Sequence, residues 1–117
     1  HGTHKVCLDA ALAAIHELKD KVWMKDCRIW MYRGAWAEWE IDHIEMAVPV
    51  SPEQLRMKRN SILKHQSQME SAPFMGNDER LFWQRSEHRN RATAELYNKL
   101  GLASYEAIEA FVEYKIN

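Results

Sequence analysis

Two histidines three residues apart, His1 and His4 in the stretch HGTH, are the first residues whose type and spacing could do chemistry. A His-x-x-His pair can share a metal or pass a proton. Thr3 is a helix N-cap residue, so both histidines fall at the start of a helix. There the positive end of the helix dipole disfavours imidazolium and leaves the neutral imidazole that ligates metals. The same placement suits helix-end histidines that simply find hydrogen-bond partners, with His1 as a remnant of an added tag, and the spacing alone leaves both readings open. A second candidate is His65, which shares a helical stripe with Leu55, Lys58, Ile62 and Met69. A polar side chain on such a stripe needs a partner or a cavity. A structural histidine, buried and hydrogen-bonded, and a site residue both satisfy that need.

The elements that must position these residues follow from spacing. Cys7, Ala11, Ala14, Ile15 and Leu18 recur at helical intervals behind Thr3, predicting a first helix that ends between Asp20 and Trp23 and carries His4 on its core side. CRIWMY alternates as a strand, RGAWAEWE has no period and reads as a loop, and IDHIEMAVPV places Ile44, Met46, Val48 and Val50 on one face of a second strand ended by Pro49. SPEQ then starts a helix: Ser51 as N-cap, Pro52 at the first helical position, Gln54 completing a capping box. SAPFMGND is a loop, and Asn77 or Asp78 caps a third helix reaching Leu100, with Gly101 as its stop. Within it QRSEHRNR, eight polar residues in a row, reads as a solvated face with pairs such as Glu87–Arg91. An RNA-binding helix is the sharper alternative for that run. In the tail Tyr105, Ile108 and Val112 fit a helix, but Ile108, Ala110, Val112, Tyr114 and Ile116 alternate over a longer stretch, which favours a third strand from about Ala107 to Tyr114. Helices between strands imply crossovers onto a mainly parallel sheet, hence an α/β fold of about three strands and three helices.

The bulk properties narrow the function classes. The chain has 117 residues, 16 Lys and Arg against 17 Asp and Glu, and a net charge of −1. That balance points to neither a nucleic-acid nor a membrane partner. No apolar run approaches the roughly 20 residues of a membrane span, and no signal-peptide pattern is present. Cys7 and Cys27 form no recognisable spacing, which suits a reducing cytoplasm. Four of the five tryptophans lie between Trp23 and Trp39, an aromatic density expected in a core and a subunit interface. The sequence starts without Met inside a helix-start signal, so it is expected to begin in mid-domain.

Taken together, HGTHKVC, WMYRGAWAEWEIDHIEMAVPVSPEQL, KHQSQ and YEAIEAFVEY resemble the C-terminal half of a PIG-L/LmbE-like zinc N-deacetylase domain. From the YRGAW loop through WQRSEHRNRATAELYNKLGL the wording is closer still to the subset in which this domain is fused behind a glucosamine-6-phosphate deaminase (isomerase) domain in one bacterial chain. The similarity covers nearly all of residues 1–117. It implies an incomplete Rossmann-like sandwich, and it implies that His4 is a zinc ligand and His1 a catalytic acid or oxyanion stabiliser. His65 and Gln68, in KHQSQ, would be supporting residues. The remaining ligands and the general-base aspartate of that family come from a His-Pro-Asp-Asp segment that this sequence does not contain.

The implied chemistry is zinc-assisted amide hydrolysis on an amino-sugar or sugar-phosphate substrate. One ligand cannot hold zinc in a catalytic geometry, so the chain alone is expected to bind none and to be inactive. Its parent is expected to be a hydrolase of amino-sugar metabolism and a homo-oligomer. The rival expectation is a non-catalytic module that serves assembly or regulation of the deaminase.

Overall fold

The computed structural model describes residues 2–34, 36–65, 81–101 and 104–116. Among them are three helices, α1 (Gly2–Glu17), α2 (Pro52–Leu63) and α3 (Phe82–Lys99), and three strands, β1 (Ile29–Met31), β2 (Met46–Val50) and β3 (Ala107–Tyr114). Short 3-10 turns cover Val22–Asp26 and Ile41–His43. The chain divides into two compact units, residues 1–31 with 113–117, and residues 32–112.

The mixed α/β architecture agrees with the pattern of apolar residues, but the sheet differs from expectation. Its order is β1-β3-β2, and β2 and β3 run antiparallel with Met46 opposite Phe111 and Val50 opposite Ala107. Because Val50 faces Ala107, the chain re-enters the sheet at the end where it left. The intervening helices therefore return the chain to the end of the sheet it left, where β3 enters beside β2, and no parallel crossover forms between them. Pro49 sits inside β2, opposite Ile108. β2 is an outer strand, where a residue without an N–H is tolerated.

Helix α2 forms as its sequence dictates. Gln54 N–H donates to Ser51 Oγ (3.1 Å) and Ser51 N–H donates to Gln54 Oε1 (2.9 Å), so two backbone donors at the helix start are satisfied reciprocally. Its inward stripe is led by Leu55, 2 % exposed, with Ile62 half-buried. Helix α3 starts later than expected. Leu81 is its N-cap, and Gln84 Oε1 reaches back to accept from Leu81 N–H at 2.9 Å. Asn77 and Asp78 lie outside the described residues. Gly101, at φ 75°, takes the left-handed conformation that ends the helix at low steric cost. Asn98 then clamps the connection to β3, accepting from Tyr105 N–H at 3.0 Å and donating to Tyr105 O at 3.2 Å. In the second unit Leu55, Ala94, Ala107, Ile108 and Ala110 are buried; in the first unit Met24 is.

Candidate functional site

The interior of the second unit is ionic. Helix α3 carries no continuous apolar stripe, yet Ser86, Glu87, Arg89, Asn90, Thr93 and Ala94 are all buried. The polar run expected to be a solvated face is thus largely an interior face. The physical reason is that each charge finds a partner from another element, which offsets the desolvation that would otherwise keep it in water.

Arg89 lies at the centre, with a side chain 5 % exposed. Its Nη2 donates to Glu109 Oε1 on β3 at 2.6 Å, and its Nη1 to Glu38 Oε2 in the tryptophan-rich loop at 3.2 Å. Glu38 also accepts from Thr93 Oγ1 (2.6 Å) and from the Trp39 backbone N–H (3.0 Å). On the other side of Glu109, Oε2 accepts from Asn90 Nδ2 (3.0 Å) and Lys58 Nζ (3.3 Å). Asn90, fully buried, accepts from Lys58 at 2.6 Å and donates to Ile108 O at 3.0 Å. A neighbouring pair joins α2 to α3, where Arg59 grips Glu87 through Nε (3.0 Å) and Nη2 (2.6 Å) while its guanidinium lies over the Trp83 ring.

Three carboxylates, Glu38, Glu87 and Glu109, thus meet three cations, Lys58, Arg59 and Arg89. Burial pushes the Lys58 ammonium below its ordinary pKa, and the attraction of Glu109 opposes that shift without cancelling it. Both oxygens of Glu109 are occupied by donors, which suits a fixed counterion better than a base awaiting a proton. The crevice lined by Leu55, Lys58, Arg59, Ile62, Trp83 and Glu87 does not admit a water molecule. This arrangement holds strand, loop and two helices in one geometry. Among the described residues no acceptor stands opposite Trp39 Nε1 or Arg89 Nε.

The tryptophan loop is organised by arginine. Arg33 stacks on Trp39 at 5.0 Å and donates to Ala37 O at 2.7 Å, and Arg85 lies 5.9 Å from the Trp36 ring. In the first unit, Arg28 stacks on Trp30 at 5.1 Å and pairs with Glu113. An open groove of about 770 Å³ there mixes Lys19, Lys25, Arg28 and Lys115 with Asp20, Asp26 and Glu113, so neither sign of charge dominates it.

The residues singled out from sequence fare differently. His4 stands exposed in the first turn of α1, off the core side expected for it, because α1 buries none of its residues. His65 is exposed, not buried against the sheet. Helix α2 ends at Leu63 with Lys64 as C-cap, so His65 lies past the point where the helical stripe continues. Lys58 does lie on the inward stripe, with the partners the pattern demanded. His1 and Gln68 lie outside the described residues. Among the described residues no three His, Cys, Asp or Glu side chains converge to hold a metal ion. Sequence reasoning missed Glu38, Glu87, Arg89, Asn90, Thr93 and Glu109 as one cluster. The available signal was Ser86, Asn90 and Thr93, polar, with Ala94 beside them, at helical spacing on a helix without a continuous apolar stripe.

Comparison with known proteins sets this ionic α/β segment in context. No family model matches the chain, and no solved structure matches it. A curated protein of Bacteroides thetaiotaomicron (strain ATCC 29148), named "Putative glucosamine-6-phosphate deaminase-like protein", is 78% identical over 116 residues. The match covers 97% of this chain and 18% of that protein. The chain therefore spans less than a fifth of the length of the curated relative it matches. Among the described residues no helix is long and apolar enough to cross a membrane.

Proposed function

We propose that this chain is a segment of an amino-sugar enzyme of the glucosamine-6-phosphate deaminase-like type, working in the cytoplasm. The observation that carries the proposal is the 78% identity over 97% of the chain to a protein bearing that name. Within such a protein, the segment is read as the second half of a PIG-L/LmbE-like deacetylase-related domain with an incomplete Rossmann-like sandwich. The stretches HGTHKVC and KHQSQ support that finer reading. Zinc belongs, in this reading, to the complete domain. The described residues do not by themselves fit a zinc site, since no three His, Cys, Asp or Glu side chains converge among them. No step on the metal is therefore assigned to them. What this chain's own residues supply is a rigid frame, with Arg89 and Lys58 fixing Glu109, and Glu38 fixed by Arg89 and Thr93.

A second reading, a non-catalytic module that supports the deaminase, is favoured by the occupied carboxylates of the ionic interior, which leave Glu109 no free oxygen. The two readings separate on acetate release from N-acetylglucosamine 6-phosphate by the natural full-length protein. The deacetylase reading expects release that falls at least a hundredfold in His4→Ala, with ammonia release from glucosamine 6-phosphate unchanged. No acetate release from the intact protein supports the module.

A further inference from the structure

We draw no further inference here: the strongest candidate, the open groove of about 770 Å³ in the first unit between the Val22–Asp26 turn and the end of β3, is walled mostly by exposed side chains of both charge signs, and nothing in the structure shows what occupies or covers it.

Discussion

Arg89 on α3 and Glu109 on β3 stand 2.6 Å apart, both withdrawn from solvent, and Arg89 simultaneously holds Glu38 from the tryptophan loop. One guanidinium therefore ties helix, strand and loop together. Removing it as Arg89→Ala leaves two carboxylates without their shared cation. The expected loss is about 3–5 kcal/mol in urea unfolding, the usual cost of breaking a buried ion pair from one side. Adding Glu109→Gln to Arg89→Ala should cost less than the sum of the two single changes, because both remove the same interaction. Additive losses would show that the pair is not coupled.

Acid should weaken the first unit through Glu113. A hydrogen bond from Arg28, aided by the charges of Arg28 and Lys115, holds the Glu113 carboxyl below its ordinary pKa of 4.5. A carboxyl whose pKa is lower folded than unfolded contributes stability that is complete above the unfolded value. That contribution is lost as pH falls through the folded one. Thermal melts of the parent and of Glu113→Gln should therefore differ at pH 6 and converge below pH 4. A constant difference across that range would remove the ion pair from the account.

Much of the fold was legible in the sequence because local chemistry decided it. Ser51, Pro52 and Gln54 fix the start of α2 by hydrogen bonds they make among themselves. Gly101 fixes the end of α3 by its backbone freedom, and the alternation from Ala107 to Tyr114 gives β3 its bounds. Strand direction depends on which end of the sheet the chain re-enters, and no local pattern encodes that. The ionic interior was hidden for a related reason. Glu38 and Glu109 lie 51 and 20 residues from Arg89, so a polar run on α3 looks solvated until its distant partners are placed. His65 failed through helix length, since the stripe that contained it stops at Leu63. With an exposed ring, His65→Ala should now change stability by no more than about 0.5 kcal/mol.

Zinc should not bind this chain stoichiometrically. His4 is the residue to which the family resemblance assigns a ligand role, and catalytic zinc needs about three protein ligands. Elemental analysis of protein prepared without chelators should find well under one zinc per chain. One tightly held ion per chain would mean that ligands converge on it from residues outside those described.

Self-association is expected of this chain in isolation. The exposed face of α1, the outer strand β2 and the half-exposed Trp36 are surfaces that pair with another copy when nothing else covers them. Sedimentation at micromolar concentration should show dimers or larger species, and shielding of Trp30, Trp36 and Trp39 from a soluble quencher should increase with concentration. A monomer whose tryptophan quenching is independent of concentration would contradict this.

The central claim, that this segment belongs to an amino-sugar enzyme of the glucosamine-6-phosphate deaminase-like type, is tested most directly by ammonia release. The natural full-length protein, shown by circular dichroism to be folded, is incubated with glucosamine 6-phosphate and the ammonia is measured enzymatically. The account predicts sustained turnover, on the order of 1–10³ per second as for most enzymes. A folded full-length protein that releases no ammonia from glucosamine 6-phosphate would contradict it.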